Sequence, residues 1–379
     1  MNQPVRARPI DIDRTSAARS GERMMNILKA SLGRLAISDN ELGRIYKMRT
    51  GHIIPVEQPL FLVSQISRSG GSLMAQLFDG HPECHTHPGE LHIGYPKKYN
   101  WPDLDLRQKP DKWFEMLFER RLPGYAEEGF VKVPRHMRSS YSSSQIRYPF
   151  LFLPKLQREI FRQCAARGIS SQRDVINCYM TSYFNAWLDY QDLYRGERKC
   201  VFAFTPRLSM YEDSVERFFR DYPDGKMVTI VRDPKTWFVS FVKRKPQERG
   251  NIIEAMTRWK TSARTALKNR QHWGNRVILM TFEGLLQEPE KSMRNLTRAL
   301  GLSYDKCLLT PTFQGMPIRA NSTFRVEQDG VLDAPLQRAG ALTPAENDGI
   351  EHEASAIHAE VLAEIENTLH TQQDDVQRP

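Results

Sequence analysis

The chain is short of cysteine: five in 379 residues (Cys84, Cys164, Cys178, Cys200 and Cys307), far apart and with no CxxC pair. That scarcity argues against both a disulfide framework and a zinc site, so reduced and mostly buried thiols are expected. No run approaches the ~18 consecutive apolar residues of a membrane span. The first fifty residues carry charges every few positions, where a secretory signal would have an apolar core. An intracellular, cytoplasmic protein is the expectation. The phosphate loop of nucleotide triphosphatases, GxxxxGK[ST], is also missing, which disfavours a kinase or ATPase. What is plentiful is globular texture, with 40% hydrophobic residues in apolar runs throughout, and this excludes disorder over most of the length. At roughly 150 residues per domain the length allows two domains, or one large α/β domain with insertions.

Charge is unevenly placed. The chain carries 54 Lys and Arg against 45 Asp and Glu, a formal +9. Residues 326–379 hold twelve acidic and two basic side chains, a net −10 that leaves +19 on residues 1–325. A body that basic calls for an anionic partner such as nucleic acid, a membrane surface or a phosphate-rich small molecule; a solvated basic face with an acidic tail is the bland alternative.

Residues 1–50 are expected to form an N-terminal extension, with one helix from the spacing of Met24, Leu28, Leu32 and Leu35 that docks on the body in preference to a lipid surface. From Gln58 short apolar runs end in Gly or Pro. Residues 59–66 read as a buried strand and 73–78 as the helix after it; 201–204, 227–231 and 277–281 are further strands, each followed by a helical stretch. These βα units imply a parallel sheet. The serine cluster 139–144 marks a loop, followed by helices at 156–168 and 174–194 within a helical insert, 134–200. Residues 289–301 make a helix with Pro in its first turn and Gly at its end. Ile350, Ala354, Ile357, Val361, Ile365 and Leu369 share one face of a last amphipathic helix. The main domain is expected to span 51–371, with a disordered tail at 372–379.

Two segments carry chemistry. Ser67-Arg68-Ser69-Gly70-Gly71-Ser72 lies between a strand and a helix, where backbone N–H groups converge and two glycines let the chain approach a phosphate. A turn of this kind can also be a plain connection. The second segment is the strand 227–231, followed by Arg232-Asp233-Pro234 and then Ser240, eight residues or about two helical turns after Arg232. A phosphate at that strand end could meet both a guanidinium and a hydroxyl; alternatively Asp233 only caps the helix and Ser240 is incidental.

The ordered pair of segments, with its Arg-to-Ser spacing, resembles the two cofactor motifs of sulfotransferases that use 3′-phosphoadenosine 5′-phosphosulfate. Further matches are Phe282-Glu283-Gly284-Leu285-Leu286 with Glu288-Pro289-Glu290, and Pro317-Ile318-Arg319-Ala320-Asn321-Ser322; together the likeness covers roughly residues 58–330. It implies a P-loop-like α/β domain with a central parallel sheet and helices on both faces. It also implies donor contacts from Ser67, Arg68, Ser69, Gly70, Gly71, Ser72, Arg232, Ser240, Asn321 and Ser322, with Arg68 meeting the charge on the departing phosphate oxygen and no metal. Many cytosolic members place a histidine base in a Lys-Thr-His segment. Here Phe204-Thr205-Pro206-Arg207 stands instead, similar to bacterial and tyrosylprotein-type members whose base is a glutamate. Asp79-Gly80-His81-Pro82 and Gly89-Glu90-Leu91 put Glu90 in that role, with His85 and His87 as competitors. His85, His87 and His92 are too irregularly spaced for a metal cluster, and His81 reads as a turn residue.

A hydroxyl or amine acceptor is expected, on a small molecule, glycan, lipid or peptide; nothing in residues 134–200 or 303–323 names it. The rival class is a non-catalytic nucleic-acid- or nucleotide-binding protein using the basic body, although the basic residues are scattered rather than interleaved with aromatics.

Overall fold

The structure, a computed structural model, describes residues 38–93, 100–130, 148–318 and 334–377. The helix expected around Met24, the serine cluster at 139–144, and Arg319, Asn321 and Ser322 lie outside the described residues.

In chain order the elements are α1 (Asp39–Gly51), β1 (Leu60–Val63), α2 (Gly71–Leu77), β2 (Cys84–Glu90), α3 (Pro110–Leu117), α4 (Leu122–Glu128), α5 (Pro154–Ala165), α6 (Gln172–Ala186), β3 (Cys200–Phe204), α7 (Glu212–Asp221), β4 (Lys226–Val231), α8 (Pro234–Arg244), α9 (Ile252–Trp273), β5 (Val277–Thr281), α10 (Phe282–Gln287), α11 (Pro289–Leu300), the short hairpin β6 (Thr312–Phe313) and β7 (Met316–Pro317), a 3₁₀ stretch Ala334–Ala341, and α12 (Pro344–Gln377). The five long strands form one parallel sheet in the order β2-β3-β1-β4-β5.

The sheet is buried on both faces, and its inner strands β1 and β3 are apolar at every position. Leu60 and Leu62 of β1 turn with Val201, Ala203, Met227 and Leu279 into one core, shared with α6 and α9. Phe61 and Val63 turn with Phe202, Val228 and Ile230 into the other, shared with α2 and α11. Period-2 side chains on a doubly covered sheet require this division. The chain leaves β1 toward β2 but leaves β4 toward β5, so a crevice opens between the carboxyl ends of β1 and β4, where ligands bind in open α/β sheets.

The segment 84–90 is a strand that the sequence pattern hides. Its residues, CHTHPGE, include Pro and Gly and lack apolar alternation. It is tolerated as an edge strand that, among the described residues, pairs only with β3, with a register shift between Thr86 and Glu90. The expected helix 174–194 also divides: α6 stops at Ala186, and a 3₁₀ turn follows at Gln191–Tyr194.

The expectation of reduced thiols is corrected for one pair. Cys164 on α5 and Cys178 on α6 form a disulfide with their Cα atoms 5.5 Å apart, within the normal range for the bond. Packing of the two helices brings together cysteines whose spacing carries no motif. Cys84, Cys200 and Cys307 remain free.

The acidic C-terminal segment is an integral part of the domain. α12 buries Ile350, Ala354, Ile357 and Val361 against the body, mainly along α9. Its carboxylates meet basic side chains there: Glu346 with Arg249 at 2.7 Å, Glu351 with Lys235 at 2.6 Å, Glu364 with Arg270 at 3.2 Å, and Glu353 with Lys260. Burying an Ile or Val side chain contributes roughly 1.5–3 kcal/mol, whereas an exposed ion pair contributes about 0–1. The apolar stripe therefore holds the helix, and the charges select its partner face. α12 continues to Gln377, into the stretch expected to be a disordered tail; after Gly349 the sequence has no Gly or Pro until Pro379.

Candidate active site

The loop leaving β1 is held in an unusual backbone. Gly70 has φ 95°, and Arg68, which has a Cβ, has φ 80°. A non-glycine residue in that region is strained and persists only where its surroundings hold it. The holding groups come from the β4–α8 connection: Arg232 Nη1 donates to the Arg68 carbonyl at 2.9 Å, and Trp237 Nε1 donates to the Ser67 carbonyl at 3.0 Å. The glycines answer to packing as well as to an approaching ligand. A Cβ at Gly70 would lie 2.6 Å from the Phe282 ring, and one at Gly71 would lie 2.2 Å from the Phe204 ring and 2.3 Å from Gln65 Nε2. Ser69 is fully buried, and its Oγ has no hydrogen-bond partner.

At the start of α8 both readings of the second segment hold together. Asp233 caps the helix, its carboxylate accepting from Thr236 N at 2.9 Å. Ser240 is far from incidental, since its Oγ accepts from Arg68 Nε at 3.2 Å across 172 residues of sequence. Arg232 is 3% exposed. Its Nε donates to Thr236 Oγ1 at 3.0 Å, and its guanidinium lies over the Phe282 ring at 4.6 Å. Its Nη2 has no hydrogen-bond partner. The Phe282-Glu283 pair completes the clamp: Glu283 accepts from Asp233 N at 3.1 Å and from Thr236 Oγ1 at 3.2 Å. Burial pushes the Glu283 carboxyl above its ordinary range.

Arg338, on the 3₁₀ stretch packed against α8, is a residue that motif reasoning missed. Its only signal is that it is one of two basic residues in the acidic segment. Burial, and then the Arg68 charge, lower its guanidinium to about 10; burial, then Arg338, with Arg68 adding to them, lower that of Arg232 to about 9. Three guanidiniums thus repel one another at the carboxyl ends of β1 and β4, and a buried N–H and a buried hydroxyl lack partners. The arrangement is built to receive an anion of high charge.

Glu90 ends β2 and pairs in register with Phe204, which in turn pairs with Val63. It therefore stands at the same end of the sheet as the loop, two strand spacings or about 10 Å to the side of β1. Its Oε2 lies 2.8 Å from His92 Nε2 and 3.6 Å from Arg121 Nη1. The competing histidines are placed elsewhere. His85 is buried against Phe184 and Tyr190, with burial as the main cause of a pKa lowered to about 3. His87 is 3% exposed and paired with buried Glu119 at 3.0 Å. His81 serves its turn, accepting from Glu83 N and lying 3.0 Å from the Ser303 carbonyl. Among the described residues no group of three or more His, Cys, Asp or Glu is disposed to hold a metal ion. No helix among them is long and apolar enough to cross a membrane.

The family model described as "Sulfotransferase family" matches residues 59–306. Among solved structures, the sulfotransferase domain from the curacin biosynthetic pathway is 14% identical, covering 79% of this chain and 98% of its own, with a TM-score of 0.43. A sulfotransferase from Alicyclobacillus acidocaldarius is 13% identical over 83% of this chain and 97% of its own (TM-score 0.40). The sulfotransferase domain of the Synechococcus PCC 7002 olefin synthase is 17% identical over 76% and 95% (TM-score 0.38). Among curated proteins none matches the chain.

Proposed function

This chain belongs to the sulfotransferase family, and from that premise we propose that it moves the sulfuryl group of 3′-phosphoadenosine 5′-phosphosulfate to a hydroxyl or amine acceptor, in line and without a metal ion. The observation that carries the reading is the convergence of Arg68, Arg232 and Arg338, with Arg232 Nη2 and Ser69 Oγ left without partners. The donor carries phosphates at both ends of its ribose, and the residues present fit it. In this reading the loop Ser67–Ser72 cradles the 5′-phosphosulfate, and Arg232, Ser240 and Arg338 take the 3′-phosphate. Asn321 and Ser322 are assigned to the donor by family likeness alone.

The acceptor oxygen attacks sulfur while the bond from sulfur to the bridging phosphate oxygen breaks. The electron pair goes to that oxygen, leaving adenosine 3′,5′-bisphosphate. Arg68 meets the growing charge, and because it is held by Ser240 it needs little reorganisation as the charge appears. Glu90 takes the acceptor's proton. The acceptor enters over the β2 side of the sheet, between Glu90 and the loop, on a small molecule, glycan, lipid or peptide.

Thermal melting tests the reading against nucleic-acid binding. Adenosine 3′,5′-bisphosphate should raise the melting temperature at micromolar concentration, and duplex DNA should not; the reverse result would sink the proposal. The basic body offers DNA less than its +19 suggests, since α12 already engages Lys235, Arg249, Lys260 and Arg270. An acceptor screen with labelled donor, read by mass spectrometry, would then name the substrate.

A further inference from the structure

The assigned base sits in a setting that none of the motifs describes. A carboxylate at the end of an edge strand, its side chain 31% exposed, would ordinarily sample several rotamers and face solvent. Glu90 instead has one oxygen, Oε2, held from two directions: by His92 Nε2 at 2.8 Å and by Arg121 Nη1 at 3.6 Å. Since an ionised carboxylate can only accept, the imidazole presents its Nε2 hydrogen to it.

Arg121 is itself aimed. It lies at the N-terminal boundary of α4, two residues after Glu119. Glu119 is buried and anchored at three points: His87 Nε2 is 3.0 Å from its Oε1, the Tyr179 hydroxyl donates to the same oxygen at 3.2 Å, and its backbone N–H donates to the Tyr179 hydroxyl at 3.2 Å. Although burial opposes its charge, His87 and its other partners outweigh burial and lower its pKa. One turn along α4, Tyr125 hydrogen-bonds with Arg121. β2 thus grips the turn between α3 and α4 twice, through His87 to Glu119 and through Glu90 to Arg121. Among the described residues, titratable and charged groups facing Glu90 include His92, Arg121 and Tyr125, with Glu119 and His87 one layer further in.

We propose that His92 and Arg121 are positioning residues that hold the Glu90 carboxylate ionised and in one orientation toward the acceptor, and that the Glu119 anchor keeps Arg121 in reach. This rests on the reading of Glu90 as the base. A nearby cation and an N–H donor both favour the charged carboxylate, so the base stays deprotonated over a wider pH range, at some loss of basicity. The anchor resolves why a fully buried Glu119–His87 pair exists beside an active site that does not use either group chemically.

The test uses the full-length protein. Infrared titration, taken as a difference from Glu90→Gln, reads the protonation of Glu90 directly and needs no acceptor. Arg121→Met and His92→Leu should each raise the Glu90 midpoint by about one pH unit, and Arg121→Lys and His92→Gln should restore most of it. Release of sulfate from the donor with water as acceptor should show an acidic limb displaced upward by the same amount, with a roughly 10-fold lower rate at pH values below the parent midpoint and little change in affinity for adenosine 3′,5′-bisphosphate. Arg121 is more than one-third exposed, so its variants should fold even where His92→Leu does not. An unchanged midpoint in Arg121→Met overturns the clamp. Full turnover with an unmoved acidic limb in Glu90→Gln overturns the base assignment instead, so the two failures are distinguishable.

Discussion

Replacing Arg232 with methionine keeps an unbranched apolar stem and removes the guanidinium. Of its donors, Nε goes to Thr236 and Nη1 to the Arg68 carbonyl, leaving Nη2 as the one aimed at a ligand. A hydrogen bond to a charged group is worth about 1.5–3 kcal/mol, so losing one phosphate contact should weaken adenosine 3′,5′-bisphosphate binding by about 10- to 150-fold. Adenosine 5′-monophosphate lacks the 3′-phosphate, so its affinity should change by less than about 3-fold. Without ligand, the variant has an opposite tendency. It loses the two internal hydrogen bonds but also relieves a buried charge that Arg338 and Arg68 repel, so the melting temperature of the free protein should move little. Calorimetry with the two nucleotides, paired with melting of the free protein, reads all three quantities. If both nucleotides weaken equally, Arg232 is only bracing the loop and its assignment to the 3′-phosphate is wrong. If neither weakens, the anion is bound elsewhere.

Arg68→Ala should lower the rate of the chemical step more than donor affinity, because its strongest interaction forms with the leaving phosphate; turnover should persist in EDTA, and activity abolished by EDTA and restored by magnesium would contradict the proposed scheme. Gly71→Ala should cost about 1–3 kcal/mol of stability by overpacking, since its Cβ would meet the Phe204 ring at 2.2 Å; Phe204→Leu in the same chain should recover part of the loss, and a Gly71→Ala protein as stable as the parent would show that the contact relaxes freely. Glu346 is held at about 2, chiefly by its hydrogen bond from Arg249, against an ordinary 4.5. With a lowered folded value, its contribution is complete above about pH 4.5 and fades as pH falls toward 2, so α12 docking and bisphosphate binding should weaken together across that window. Glu346→Gln should mimic the loss at neutral pH by about 1 kcal/mol or less, and limited proteolysis that shows α12 equally protected in the variant would refute it.

Local pattern was enough for much of the molecule. The apolar runs 201–204, 227–231 and 277–281 became strands because each can bury both of its faces, and the Pro and Gly bounding 289–301 delimited α11 through backbone constraints that need no tertiary partner. The pairing of the Ser67–Ser72 loop with Arg232 and Ser240 was legible only through the family resemblance, because strand end and helix start taken singly also fit a plain connection and a plain cap. Period and spacing are short-range signals, however, and the remaining features arise from long-range packing. β2 is a strand despite its Pro and Gly because it occupies the sheet edge, and Cys164 meets Cys178 because α5 packs on α6. Arg338 reaches the site because the acidic segment folds back over α8 and α9. His85, His87 and Glu90 look alike as candidate bases in the sequence. Position along β2 separates them, burying the two histidines among aromatic and carboxylate partners and leaving Glu90 partly exposed at the carboxyl end of the sheet.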